Sequence, residues 1–317
     1  EISECLVGSE MCIRDKLNSD YDNIDLLNVD FNYSQRINYS PAKKHNEYMK
    51  LIAENSWSGK VINDYRIVAR KMLNLGGERT LIAAIIPPKT SHINGLLGFD
   101  FKDENDLVLA EAMFSSLPFD YFVRTLNKGN LQPNVVAKLP YVTSKYNSAL
   151  CLRALMLNCL SEEYSQLWER LYKKEYNENK WAKEDKRLSD LKFSNLKSCL
   201  TFETSCRTDF ERRQILVEID VLTSMALGMT LQQLQTIYKI QFPVLQSYED
   251  DTWYDQNGRI AFTNNRSMTG VGFTRKDFEV IKNEKNGEFI LEIEDDTVVD
   301  GPVKRTCLLY TSDAADD

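Results

Sequence analysis

From Asp64 onward, apolar and polar positions alternate with a period of two. Tyr65, Ile67 and Ala69 interleave with Arg66, Val68 and Arg70, which predicts a strand with one basic face. Asn74-Leu75-Gly76-Gly77 supplies a turn. The β-branched, apolar run over residues 80–86 predicts a second strand, paired with the first and buried on both faces, that ends at Pro87-Pro88. A third short strand is predicted over 91–101. Helical patterns run over 41–55 (Ser40 as N-cap, Pro41 at the first position), over 105–126 with a break at Pro118, and over 146–176 with a break at Ser161. The charge-rich residues 173–190 read as a solvated helix and loop. Thr208-x-x-Glu211 is a capping box that opens an apolar stripe of Phe210, Ile215, Leu216, Ile219, Leu222 and Ala226, with Gly228 where the helix should stop. Thr230-x-x-Gln233 opens the next helix, and Pro243 lies shortly beyond it. From Gly258 the pattern returns to strands, including a hairpin that turns at Asn286-Gly287 between residues 278–281 and 289–293.

These elements predict an α+β fold. A mixed strand region with packed helices spans 16–145, a mainly helical region 146–257, and a β-rich segment 258–306. The two ends stand apart. The chain opens on Glu1, which is expected of an internal or processed piece, and residues 1–15 and 307–317 resemble translated sequencing-adaptor sequence rather than part of a fold.

Charge looks different once the ends are set aside. The whole chain has 39 Lys and Arg against 47 Asp and Glu, a net of −8. Residues 1–15 hold one Arg against four acids, and 307–317 hold three acids and no base, so six of those eight negative charges lie at the ends. Residues 31–306 come to +1, which is compatible with a local basic face of the kind phosphate binding needs. Four cysteines remain between the ends: Cys151, Cys159, Cys199 and Cys206. None are spaced Cys-x-x-Cys, so they read as buried free thiols of a reducing cytoplasm rather than zinc ligands. No run of 18 apolar residues is present for a membrane span. The sequence carries no Walker-type loop, no His-Glu-x-x-His and no credible Ser/His/Asp set, so no metal site or catalytic residue is expected.

Five stretches carry a resemblance. They are Tyr65-Arg66-Ile67-Val68-Ala69-Arg70 with Glu78-Arg79-Thr80-Leu81-Ile82 through Pro87-Pro88; Phe119-Asp120-Tyr121-Phe122-Val123-Arg124 with Asn130-Leu131 and Lys138-Leu139-Pro140; Leu152-Arg153-Ala154-Leu155 through Leu160, with Leu167-Trp168; Arg207-Thr208-Asp209-Phe210-Glu211-Arg212-Arg213-Gln214 with Glu218-Ile219-Asp220 and Ala226-Leu227-Gly228-Met229-Thr230; and Ile237 through Leu245 with Tyr248-Glu249, Asp251 through Asp255 and Gly258-Arg259-Ile260. In this order, over about residues 60–306, they resemble the C-terminal region of large adenine-specific DNA methyltransferases of restriction-modification and antiphage systems. One departure is Phe114-Ser115-Ser116, where that family has Leu-Asn-Ser. The resemblance implies a target-recognition region that reads double-stranded DNA. It also implies an upstream methyltransferase domain on the same polypeptide, which binds S-adenosylmethionine and holds the adenine with an Asn-Pro-Pro-Tyr-type motif. This sequence has neither that motif nor the Gly-rich cofactor loop, and Ile86-Pro87-Pro88-Lys89 lacks the amide and the aromatic platform. The piece is therefore expected to bind and not to methylate, without a cofactor of its own.

Recognition of DNA needs cations for phosphates and forked or amide side chains for base edges. Arg66, Arg70, Arg79, Lys89, Arg124 and Lys128 are the expected DNA-facing residues. Each has a structural alternative: ion pairs to Glu78 for Arg79 and to Asp120 for Arg124, a solvated strand face for Arg66 and Arg70, and loop lysines for Lys89 and Lys128. Arg212 and Arg213 read as surface or capping groups. The competing function is a structural or protein-interaction module that docks a helicase, a nuclease or a partner subunit without touching DNA.

Overall fold

The computed structural model describes residues 24–34, 42–264, 272–284, 287–295, 298 and 302–310. Helices and small antiparallel sheets share one chain, an α+β fold. The chain enters through α1 (His45–Leu51), whose expected cap at Ser40 and Pro41 lies outside the described residues. A two-residue ribbon, β1 (Glu54–Asn55) with β2 (Gly59–Lys60), leads into β3 (Arg66–Arg70), β4 (Ala83–Ile86) and β5 (Leu96–Asp100). These last three form one antiparallel sheet in the order β4-β3-β5, with Ile67 opposite both Ile85 and Phe99.

The predicted pairing of β3 with β4 is present, but the predicted basic face of β3 is not. As the middle strand, β3 is covered from Arg66 through Ala69, and Arg70 alone is exposed. A two-residue alternation marks solvent only where one face of a sheet is left free, and here neither is.

α2 (Glu104–Phe114) is capped by Asp103, which accepts the Asn105 amide at 2.7 Å, and it buries every residue from Leu107 to Phe114. The predicted break falls at Ser115-Ser116, and Pro118 sits in the first turn of α3 (Leu117–Thr125). Then come α4 (Pro133–Val136), α5 (Asn147–Asn158), α6 (Ser165–Leu171) and α7 (Leu191–Ser194). The stretch 173–190 does more than meet solvent. It is largely irregular and plants Tyr176 and Leu188 in the interior.

Both capping boxes form. Thr208 and Glu211 close the start of α8 (Asp209–Ala226), and Thr230 and Gln233 that of α9 (Leu231–Gln241). At the far end of α8, Gly228 takes a φ of 72°, and Met229 N donates to Ser224 O at 2.9 Å, a left-handed stop that favours glycine. Replacing Thr208 by alanine is expected to cost about 1 kcal/mol of stability, read as a lower urea midpoint at unchanged slope.

Pro243 begins a new helix, α10 (Pro243–Asp250), rather than only marking an end. The ribbon β6 (Trp253–Tyr254) with β7 (Ile260–Phe262) follows. Residues 278–281, predicted as a strand, belong to α11 (Arg275–Ile281), because the Thr274 side chain accepts the Asp277 amide and starts a helix there. Asn286 of the predicted turn lies outside the described residues. β8 (Glu288–Asp295) pairs instead with β9 (Val303–Tyr310).

The suspected artefacts divide. Residues 1–15 and 311–317 lie outside the described residues. Residues 307–310 lie within β9, where Cys307 and Leu309 are buried with Ala261 and Ile281. They pair there with residues 288–291 of β8.

α2, α5 and α8 pack on one another beneath the sheet and enclose the main core. Trp168 is wholly buried there and donates its indole N–H to Lys197 O at 2.9 Å. A smaller cluster of Leu117, Leu234, Phe242 and Leu245 joins α3, α9 and α10. Cys151, Cys159 and Cys206 are buried free thiols, whereas Cys199 is exposed, against expectation. Among the described residues no helix is long and apolar enough to cross a membrane.

Candidate nucleic-acid interface

The six expected DNA-facing residues fall into two groups. Arg79, Arg124 and Arg66 point inward. Arg79 forks onto Asp220 at 3.2 and 2.9 Å and gives a third bond to Ser115 O at 2.9 Å. Asp220 also accepts the Leu117 amide at 2.7 Å. Burial works against the Arg79 charge, but Asp220 outweighs it and holds the guanidinium above its ordinary basicity. The partner is a residue on α8, not Glu78.

Arg124 does pair with Asp120, its Nε donating at 2.8 Å. Its remaining N–H groups donate to Gln241 O and Gly77 O at 2.9 Å and to Glu78 O at 3.1 Å, with the guanidinium 4.3 Å above the Phe242 ring. The second Asp120 oxygen accepts Thr80 N at 2.7 Å and Leu81 N at 3.1 Å. Arg66 is 6% exposed and donates to Thr90 O. These three guanidinium groups are turned to internal partners, because neighbouring elements offer them carboxylates and carbonyls.

Arg70, Lys89 and Lys128 are exposed. Backbone pairing sets the segments that carry Arg70 and Lys128 side by side. Met72 bridges Asn130, Leu73 N donates to Gly129 O at 3.0 Å, and Leu131 N donates to Lys71 O at 2.7 Å. The end of β3 therefore lies beside the loop 127–131, whose Asn127 has a φ of 48°. In this antiparallel register exposed Asn74 lies toward Lys128 and Arg70 lies on the other side of Met72, which is 67% exposed; the Asn74 Oδ1 accepts the Gly76 amide at 3.1 Å. Lys71 donates to Asn94 Oδ1 at 2.9 Å. Cations beside amides and an apolar side chain can grip phosphates and touch base edges.

Lys89 is elsewhere. Ile86 lies opposite Arg66 at the start of β3, and the Lys89 amide donates to Ile62 O at 2.7 Å. The four steps of β3 put roughly 13 Å between the two ends, at about 3.3 Å per residue. Ile86-Pro87-Pro88-Lys89 is the exit from β4, with Pro87 buried, and it presents no side-chain amide to a base. Among the described residues no group of three or more His, Cys, Asp or Glu is gathered as a metal ion would require.

The residues that carry the family resemblance are mostly the internal clamps. Arg79 joins the first stretch to Asp220 of the fourth. Arg124 joins the second to the first and the fifth. Arg153 Nε donates to Glu218 at 2.6 Å, joining third to fourth, and Asn158 Oδ1 accepts Ile85 N at 2.9 Å, joining third to first. Asp209 accepts Ile260 N at 3.1 Å, and Arg213 pairs with Glu249, joining fourth to fifth. Arg212, expected at the surface, instead donates to Leu157 O and Cys206 O at 3.1 Å each.

Sequence reasoning passed over Arg153, Glu218 and Asp220. A signal existed: Glu211 and Glu218 occupy the same spacing as Ile215 and Leu222 on α8, so acids sit in an apolar stripe, where they need partners. Comparison with protein-family models, with curated proteins and with solved structures gives no match.

Proposed function

We propose that this chain is the DNA-binding, target-recognition part of an adenine-specific, S-adenosylmethionine-dependent DNA methyltransferase of the restriction-modification or antiphage type. It works in the cytoplasm beside an upstream domain that holds the cofactor. The family comes from the five stretches and their order. The observation that carries DNA binding is that exposed Arg70, Lys128 and Asn130 lie on two segments paired through the Met72–Asn130 bridge at the end of the sheet. Without the cofactor and adenine-holding motifs, the chain supplies binding and register, and methyl transfer belongs to the upstream domain. In this role Arg70 and Lys128 sit on phosphates, and Asn130 faces the base edges.

The test is duplex binding by fluorescence anisotropy across a salt series. Arg70→Ala with Lys128→Ala should weaken binding to all sequences and flatten the slope of log K against log salt by about 2, one phosphate contact for each cation removed. The urea midpoint should stay within about 0.5 kcal/mol of the parent, as expected for exposed positions. A folded chain that binds no duplex at low salt would overturn the proposal and leave the protein-interaction module as the reading.

A further inference from the structure

At the other end of the sheet, away from Arg70 and Lys128, a cavity of about 300 Å³ opens between α1, the residues leading into β3 and the loop after β4. Its polar lining is Arg66, Tyr48, Ser91 and His92, and Leu51 and Ile62 give it an apolar wall.

Arg66 and Arg207 are buried without an ion pair among the described residues, but Arg207 donates to three carbonyls, of Phe202, Leu26 and Leu160. Arg79, Arg124 and Arg153 each meet a carboxylate, and among the described residues Arg66 meets none. Its one bond is to a backbone carbonyl, Thr90 O, and its Nε is buried without a partner. Asp100, opposite Arg66 on β5, and Asp64 act on its charge through space without forming an ion pair. Asp64 and Asp100 both accept from Asn55 Nδ2, at 2.9 and 3.1 Å. An arginine that is 6% exposed, lines a cavity, forms no ion pair among the described residues and leaves its Nε without a partner has donor capacity to spare for an anion.

The neighbouring donors fit that role. Tyr48 gives its hydroxyl proton to Ser91 Oγ at 2.6 Å, which leaves the Ser91 O–H as a donor. Gly98 makes room for the His92 ring, since a Cβ there would come within 2.6 Å of Nε2. Lys89 is exposed nearby, its amide bonded to Ile62.

We propose that this cavity binds a phosphate ester, anchored on the Arg66 guanidinium with Ser91 as a second donor. The planar fork suits two phosphate oxygens, and Ser91 can take a third. The cavity is larger than a bare phosphate requires, and Leu51 and Ile62 supply a wall for the organic part. A free mononucleotide and the DNA backbone present the same group. The proposal does not depend on the DNA interface at the opposite end.

The chain has two histidines, which makes a direct test simple. His92 lines the cavity, and His45 is exposed on α1. Proton–carbon NMR of the histidine rings is recorded while inorganic phosphate, adenosine monophosphate or a short DNA duplex is added. A phosphate ester in the cavity shifts the His92 signal and leaves His45 in place. Movement with the mononucleotide alone identifies a free ligand, and movement with the duplex identifies the DNA backbone. Arg66→Met should weaken the responding probe about tenfold or more, and Arg66→Lys should recover part of that loss. Should Arg66→Met fail to fold, Ser91→Ala removes a donor and should weaken binding several-fold. A folded parent chain whose His92 signal ignores all three probes overturns the site, as does Arg66→Met or Ser91→Ala binding with unchanged affinity.

Discussion

Arg79→Ala is expected to lose about 3–5 kcal/mol of folding stability while leaving the salt slope of duplex binding intact. The substitution strands Asp220, which is 4% exposed, with the Leu117 amide as its remaining direct partner, and it removes the donor from Ser115 O. A carboxylate left in that position has lost its counter-charge but not its desolvation, so the cost exceeds that of the two hydrogen bonds alone. Asp220→Ala should do comparable harm by stranding the guanidinium. The double replacement should be less damaging than the two singles summed, by about 1–3 kcal/mol, because the second change removes the charge that the first exposed. Urea midpoints of the four proteins measure this. A loss under 1 kcal/mol for Arg79→Ala, together with a flatter salt slope, would return Arg79 to the DNA surface and defeat the internal assignment. Arg70→Ala provides the contrast, since at an exposed strand end its effect on stability should be small and its effect on DNA affinity large.

The contrast between Arg70 and Arg79 also marks how far the sequence could be read. Local chemistry was legible. Thr208 and Thr230 announce their helices by side chains that reach three residues on, and β3 pairs with β4 across a connection that holds the Gly76-Gly77 turn. Where a short pattern fits two periods, the cap decides. Residues 278–281 alternate like a strand, yet Thr274 and Asp277 start a helix, which is the stronger local signal. Long-range placement was not legible. Nothing near Arg79 in sequence points to Asp220, 141 residues away, and Glu78 next door is the obvious but unused partner. The basic alternation of β3 is real in sequence, but β3 is the middle strand, so Arg66 and Arg70 meet opposite fates. The approach of the β3 end to the loop 127–131 depends on one backbone bridge, Met72 to Asn130, between segments that look like unrelated loops. Six cations chosen by residue type thus resolve into scaffold, cavity lining and surface only once the packing is known.

The same packing places one acid where its charge is a liability. Glu111 lies within the unbroken buried run of α2, its Oε1 accepting the Ser115 hydroxyl at 2.8 Å and its Oε2 without a partner. Burial pushes its carboxyl up to about 7, against an ordinary value of 4.5, and Ser115, Asn158 and Arg212 offset this only in part. Between those two values the unfolded chain has lost the proton while the folded chain still holds it. The folded state therefore binds more protons, and stability falls as pH rises, by about 1.4 kcal/mol per pH unit within that window and not further above it. Glu111→Gln keeps the acceptor for Ser115 and removes the titration. Relative to the parent, the variant should gain about 2–3 kcal/mol on going from pH 5 to pH 8, read as the change in the difference between their urea midpoints. Any fixed cost of the new amide is the same at both pH values and drops out, as do other groups that titrate alike in the two proteins. A difference that stays constant from pH 5 to pH 8 would mean that Glu111 is charged in the folded chain at both pH values. In that case the Arg212 guanidinium, already among the groups opposing the shift, would be the counter-charge that keeps it so.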